Sequence, residues 1–446
     1  MDTRALHIFW WQTLRAPERI LDDLARFTDI NTLILDAAYV AVDEPAEVSV
    51  LARVYGTQYI LPSTAPFGEL PVSVVDEAGY AAALGFMDLA RSRGFAISCH
   101  VLPLNPNAAA MAHTACIDVA GHPALDEDVT GARDLGGAKF AHACPNHPET
   151  QRFGEALVRA AIAAWPGLEM LDLNHLEFPH WPRTGLGELF VCFCDFCREA
   201  AQAQGIDFEA MKREVTALYA SLGVPGERRV GGLSVNDVAT GFARRPRLAE
   251  WLHFRLASMS AHIERLAAAA REAAAAHNPG LRLGVDVHLP AICAFVGTDL
   301  ERCGRLFDWV SPKFPDYMPG SVVPLTAQAI AAGGAYDEGE VRQGLRDLCD
   351  LGPGPAEYLP TQMDEDGAVL YPNAYDPSMI ARQMPHLAGL AGKMPLYAWT
   401  WLDNRDYQGW RRKFEALRES NLDGYFLWCW ESDLTSEALA AAKGIF

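Results

Sequence analysis

Three cysteines stand within six residues as Cys192-Phe-Cys194-Asp-Phe-Cys197, and Cys144 precedes them in Ala-Cys-Pro-Asn-His-Pro. A C-x-C-x-x-C turn can present three thiolates to one side of a Zn²⁺ ion about 2.3 Å away, and Cys144 can close the tetrahedron from a neighbouring loop. A four-thiolate site has no open position. The expectation is therefore a structural zinc on Cys144, Cys192, Cys194 and Cys197 that staples loops and does no chemistry itself. Ordinary buried thiols are the alternative, but thiols clustered this closely mostly signal metal or redox work. The two halves of the cluster bracket the segment 168–178, an apolar run that turns polar at Asn174, His175 and Glu177.

A second set of residues suits sugar chemistry. Hydrolysis of a glycoside needs two carboxyl groups flanking the scissile bond, about 5 Å apart for retention and farther for inversion. Carboxylates follow apolar runs at Glu177, Asp286, Asp316, Asp364, Glu365, Asp403 and Glu431. Glu177 ranks first because the cysteine loop frames it. Flanked by Leu176 and Phe178, it is expected to be desolvated, with its pKa raised toward that of a general acid. Trp10, Trp11, Trp181, Trp399, Trp401, Trp428 and Trp430 lie at similar places, and sugar rings pack their C–H faces on aromatic planes. In alternating pairs such as Trp428 and Trp430, one side chain is expected to face the helices instead.

His7, His100, His175 and His288 also lie near the ends of apolar runs. With Asp286 they allow a different chemistry, a metal-dependent sugar isomerase or lyase, because imidazole and carboxylate bind divalent metals. Asp286-Val-His288 is the only tight pair, and no H-x-H or H-E-x-x-H spacing supports that reading. Lys313 could form a Schiff base if desolvated, though an ion pair with Asp316 is the expected fate. Gly136-Gly137 and Gly333-Gly334 lack a phosphate-binding context, and no G-x-S-x-G elbow is present.

The elements that must position these residues alternate between short apolar strands and amphipathic helices. Strands are expected at Ala5–Trp11, Asn31–Ala37, Ala96–Leu102, Glu169–Asn174, Arg282–His288, Trp309–Phe314, Pro395–Trp401 and Asp423–Trp430. Helices intervene, the longest expected at Leu248–His277 before the stop signal Asn278-Pro279-Gly280. This is the pattern of an α/β fold, a (β/α)8 TIM barrel spanning residues 1–446 as a single domain. Glu357–Met363 is a ninth strand candidate that leaves the seventh barrel strand open. An insertion loop at 179–246 carries the cysteine cluster, on the face where barrels place their catalytic loops.

The order Cys144-Pro-Asn-His-Pro, strand four, then Cys-Phe-Cys-Asp-Phe-Cys with Arg198-Glu-Ala resembles the family 42 β-galactosidases of glycoside hydrolase clan A. The resemblance is specific over about residues 140–200 and architectural elsewhere. It implies a TIM barrel, a structural zinc on four cysteines, a strand-four Asn-Glu pair whose Glu is the acid/base, a nucleophile after strand seven and a tendency to form homo-oligomers. Asn174 matches the family Asn, but His175 stands where the Glu would fall. Along an ideal strand Asp172 and Asn174 share one face while His175 and Glu177 share the other. Glu177 therefore needs a break in the strand end to reach the site. The nucleophile position points to Asp364, Glu365 or Asp403.

The chain has 37 basic against 57 acidic residues and a formal charge of −20, which repels phosphate backbones and anionic lipid. Nucleic acid and membrane are poor partners for it. Ten cysteines without a basic, apolar leader suggest a reducing cytoplasm. The expectation is a cytoplasmic glycoside hydrolase of carbohydrate metabolism acting on a small saccharide by two carboxylates drawn from Glu177, Asp286, Asp364 and Asp403. Asn174, His175, His100, Trp10, Trp399, Trp401, Trp428 and Glu431 would bind the substrate. A non-catalytic saccharide-binding barrel, with His175 replacing the acid/base, is the third reading.

Overall fold

The computed structural model describes residues 3–8, 10, 14, 16–39, 58–65, 67, 70, 72–106, 111–126, 140–180, 186–223, 235–314, 322–334, 336–352, 362–363, 369–370, 378–392, 394–402, 415–420 and 422–429. Eight parallel strands make one sheet: β1 (Thr3–His7), β2 (Thr32–Asp36), β3 (Ala96–Val101), β4 (Met170–Leu173), β5 (Arg282–Val287), β6 (Trp309–Pro312), β7 (Tyr397–Leu402) and β8 (Gly424–Cys429). In space the order runs β6-β5-β4-β3-β2-β1-β8-β7. The remaining seam, between β6 and β7, is bridged by Val310 N–H donating to Pro395 O at 3.1 Å and Phe314 N–H to Trp399 O at 2.9 Å. Isolated bridges rather than a continuous ladder thus bring the sheet round into a nearly closed barrel.

Each expected strand corresponds to one of these eight. Gln362–Met363, the tail of the ninth candidate, pairs antiparallel with Val369–Leu370 in a separate two-stranded sheet. The six-residue β7, fully registered on β8, takes the seventh place.

Strand alternation divides the side chains cleanly. Leu33, Leu35, Ile97, Cys99, Leu171, Leu173, Leu283 and Val285 join the apolar layer under the helices. Inside the barrel, Trp309, Tyr397 and Phe426 pack on one another with ring centroids 4.9–5.6 Å apart. Gly284 is what admits Trp309, because a Cβ there would meet the indole at 1.9 Å. One layer higher, at the C-terminal strand ends, the bulky branched residues usual inside such barrels give way to polar ones. His7, Asp36, His100, Asp172, Asp286 and Ser311 are each no more than 2 % exposed, and Asp36, His100 and Asp172 are register partners across three strands.

Helices at Pro17–Phe27, Glu77–Ser92, Pro148–Ala164, Pro246–His277, Glu338–Leu348 and Ser378–Ala391 lie along the chain between the strands. The 32-residue helix Pro246–His277 crosses Pro148–Ala164 closely at Gly154, where a Cβ would stand 2.9 Å from Leu266 Cδ2. Between β4 and this long helix come a 3-10 turn at Leu186–Leu189 and helices Asp195–Ala203, Phe208–Gly223 and Val235–Arg244. Among the described residues no helix is long and apolar enough to cross a membrane.

Candidate active site and thiol centre

The end of β4 turns on one residue. Asn174 N–H makes the last ladder bond, to Val101 O at 3.0 Å, and its side-chain Oδ1 accepts from His175 N–H at 2.6 Å. That bond fixes the amide so that Nδ2 donates to His100 Nε2 at 2.8 Å. His175 then takes φ 53°, a left-handed conformation that a non-glycine residue holds only when its surroundings over-determine it. The reversal supplies the break that strand alternation demands. Asp172, Asn174 and Glu177 are all buried together. Beyond the turn, Phe178 N–H donates to Val296 O at 2.8 Å and anchors the segment.

Glu177 sits among cations and donors. Its Oε1 is 3.0 Å from His175 Nδ1 and 3.2 Å from His288 Nε2, and its Oε2 is 3.6 Å from Lys313 Nζ. Burial alone would raise its pKa, but Lys313, His288 and His175 together outweigh burial and hold it well below the ordinary glutamate range. This corrects the expectation of a raised value. Desolvation acts as anticipated, yet Lys313 and the two histidines together reverse the net direction, so Glu177 is an ionised carboxylate rather than a proton donor. His175 is lowered to about 4 by burial and by Lys313.

Asp172 and Asp286 behave oppositely. Burial raises Asp172 well above its usual range, and the neighbouring Asp286 adds to the rise. Burial likewise lifts Asp286 to about 7 against the opposing effect of Lys313. Two carboxyls this close cannot both ionise, so the pair holds a proton. Donor atoms of His100, Asp172 and Asp286 lie within 4.8 Å of one another. Burial keeps His100 neutral, and the Asn174 amide on Nε2 leaves the ring proton on Nδ1. That nitrogen faces Asp36 Oδ1 at 3.7 Å and Asp172 Oδ2 at 3.9 Å. His7 Nε2 completes the belt, 3.0 Å from Asp36 Oδ1.

The histidine and carboxylate donors also fall into sets with metal-ligand proximity, Glu177 with His180 and His288, and His7 with Asp36 and His100. Their chemistry fits a divalent cation poorly. An ammonium already stands against Glu177, and a protonated His100 Nδ1 offers no lone pair to a metal.

The structure therefore brings Glu177, Asp286, Asn174, His175 and His100 into one cluster. Trp10 lies elsewhere: its ring is edge-on to Phe86 and Trp165, and its Nε1–H donates to Asp36 O at 2.6 Å. This puts it in the layer between barrel and helices rather than in a saccharide pocket. Trp399 is 6 % exposed and shares the inward face of β7 with Tyr397 by alternation. Asp364, Asp403 and Glu431, with Asp316 and Glu365, lie outside the described residues, as do the side chains of Trp401 and Trp428. Lys313, expected to pair with Asp316, stands against Glu177. Asp36, Asp172 and His180 join the site beyond the sequence expectation, although the two aspartates share with His7 and His100 an inward position near a strand end.

The cysteines converge from two loops. Cys144 Sγ is 3.6 Å from Cys194 Sγ and 3.4 Å from Cys197 Sγ. Asn146 Nδ2 donates to Cys197 Sγ at 3.4 Å. Cys192 contacts Cys197 from a left-handed φ of 88°. Cys116, which its distance in sequence concealed, hydrogen-bonds Cys144. Bonds from Val119 N to Phe190 O and from Phe193 N to Ile117 O, each 3.0 Å, tie the same two loops together. Bonds of about 2.3 Å in a tetrahedron put thiolates about 3.8 Å apart. The spacings from Cys144 are close to that, and Cys144, Cys194 and Cys197, with sulfurs all within 4.8 Å of one another, could hold a metal; Cys192 falls outside that set.

No protein-family model and no curated protein sequence matches the chain. Solved structures do, among them TIM-barrel glycoside hydrolases. The chain superposes on the glycoside hydrolase domain of PgaB (BpsB) from Bordetella bronchiseptica with TM-score 0.53 and 11% identity, covering 96% of this chain and 93% of that one. For the catalytic domain of β-amylase from Paenibacillus polymyxa the values are 0.51, 11%, 99% and 95%. For the β-galactosidase of Marinomonas ef1 they are 0.53 and 12%, with 99% of this chain covering 58% of that one. At these identities the likeness establishes the fold.

Proposed function

We propose that the protein is a glycoside hydrolase acting on a small glycoside or oligosaccharide through Glu177 and the Asp172–Asp286 pair. The observation that carries this reading is the opposite displacement of two carboxyl sites within one buried cluster. Glu177 is held ionised, whereas Asp286 keeps a proton up to about pH 7. Environments that push neighbouring carboxyls apart in this way define acid and base roles. In the reaction Asp286 passes its proton to the glycosidic oxygen as the C–O bond breaks. Glu177 faces the oxocarbenium-like centre, either bonding to it or directing a water onto it. Trp399 supplies an aromatic face. Asp403, directly after β7, is the further carboxylate that the family 42 resemblance favours.

Zinc on Cys144, Cys192, Cys194 and Cys197 would pin the loops after β3 and β4 and so fix the turn that carries Glu177. Cys116 would remain a thiol hydrogen-bonded to Cys144. A reducing, cytoplasmic setting suits such a centre because its ligands must stay unoxidised.

A panel of aryl glycosides tests the function, with the anomeric configuration of the product followed by NMR. Release from at least one glycoside, abolished in Glu177→Gln, is the expected result. A chain that binds sugars without turning any over would make the barrel a binding protein.

A further inference from the structure

Arg255 is a charge without an obvious reason. It lies in the long helix Pro246–His277, is 0% exposed, and has its guanidinium 4.6 Å from the ring centroids of Phe178 and Trp251 and 5.2 Å from that of Phe295. Among the described residues one polar contact is made, Nη1 to Leu189 O at 3.4 Å, and Nε and Nη2 find no hydrogen-bond partner. No carboxylate ion pair involves it among the described residues. Trp251, one turn earlier, donates Nε1–H to Val191 O at 3.0 Å, which sets Arg255 beside the loop that carries Cys192, and the sulfurs of Cys192 and Cys116 act on it electrostatically.

A lone buried guanidinium is strongly disfavoured by its lost hydration, and aromatic faces recover only part of that. Neutral thiols would not balance it. A four-thiolate zinc centre carries net charge −2 by formal count, and the helix of Arg255 borders the thiol cluster, since Asn146 Nδ2 donates both to Cys197 Sγ and to Ser258 Oγ, at 3.4 and 3.1 Å. The same guanidinium packs on Phe178, the residue after Glu177, whose ring is confined on another side by Gly297. There a Cβ would come within 2.7 Å of it. We propose that Arg255 is the buried counter-ion of the metal–thiolate centre and, through Phe178, the positioning residue that ties that centre to Glu177. The inference rests on the zinc reading above.

Three measurements on purified, metal-loaded protein test it. Zinc release to a chromogenic chelator should be at least about tenfold faster in Arg255→Met than in the native chain, the size of effect typical of groups that support metal ligands. Arg255→Lys, which keeps the charge, should fall between them. Thermal midpoints should change sign: Arg255→Met lowers the midpoint of loaded protein and raises that of chelator-stripped protein, where the guanidinium has lost its anion. Backbone hydrogen exchange over 176–180 should be faster in loaded Arg255→Met than in the native protein.

Release as slow in Arg255→Met as in the native chain, or a raised midpoint in both states, overturns the counter-ion role. Unchanged exchange at 176–180 overturns the link to Glu177. A native chain that holds no zinc sinks the zinc reading itself, an outcome distinct from a loaded chain indifferent to Arg255. Should stripping unfold both proteins, the release rates decide.

Discussion

Lys313 Nζ stands 3.6 Å from Glu177 Oε2, with both side chains 3% exposed. In a buried setting that ammonium is the largest of the charges which, with His288 and His175, together outweigh the desolvation that would otherwise protonate the glutamate. The same ammonium opposes the raised values of Asp172 and Asp286. One lysine thus weakens proton binding on both sides of the proposed acid–base arrangement.

Replacing Lys313 by Met should move the whole pH–activity profile upward. The native profile needs Glu177 ionised and the aspartate pair protonated, so its acid limb lies below the ordinary glutamate value and its alkaline limb near 7. Without the ammonium both groups bind protons more tightly. Activity at pH 5 should fall relative to pH 7, and the alkaline limb should shift above its native position. Measuring kcat against pH for both proteins checks this, and an unshifted acid limb would separate Lys313 from Glu177.

Stability should also report the aspartate pair. Raised groups stabilise the fold below their unfolded pKa, about 3.9 for aspartate, and that contribution is lost as pH rises through their folded values. For Asp286 the loss extends to about pH 7. The decline in thermal midpoint between pH 4 and 8 should therefore be shallower in the double variant Asp172→Asn, Asp286→Asn than in the native protein. Glu177 acts in the other direction, contributing above its ordinary value and losing that contribution as pH falls.

Much of this arrangement is legible in the sequence. Eight apolar runs become eight strands because inward and outward faces alternate along each of them. Asn174, His175 and Glu177 are visible as a strand end that could not stay regular, and φ 53° at His175 is how the chain breaks it. What is not legible depends on contacts across the barrel. The sign of the Glu177 shift comes from Lys313 and His288, which other strand ends carry, acting with His175. Cys116 joins the thiol cluster only after two long loops pair. Trp10 has the sequence position of a pocket residue, but its place beyond the end of β1 turns its ring toward Phe86 and Trp165.

Cys194→Ser should remove the metal and destabilise the whole chain, since a structural zinc contributes binding energy directly to folding. Elemental analysis should find about one zinc in the native protein, held without being needed as a reagent. A metal-free native protein with an unchanged thermal midpoint would contradict the assignment.

Gly284→Ala should disturb the barrel interior, because the new methyl meets the Trp309 ring at 1.9 Å. Overpacking of this kind costs about 1–3 kcal/mol. A lower denaturant midpoint with an unchanged slope is the expected signature.

The division of labour between Glu177 and Asp286 is tested most directly by leaving-group dependence. Turnover of native, Asp286→Asn and Glu177→Gln proteins would be compared on an alkyl glycoside and on a nitrophenyl glycoside of the same sugar. Loss of the acid should cost at least about a hundredfold on the alkyl glycoside and much less on the activated one, whose departure needs little protonation. Loss of Glu177 should cost a comparable factor on both. If Glu177→Gln is the variant rescued by the activated leaving group while Asp286→Asn is impaired equally on both, the roles are reversed: Glu177 is then the proton donor, and the opposite displacement of the two carboxyls does not assign the acid.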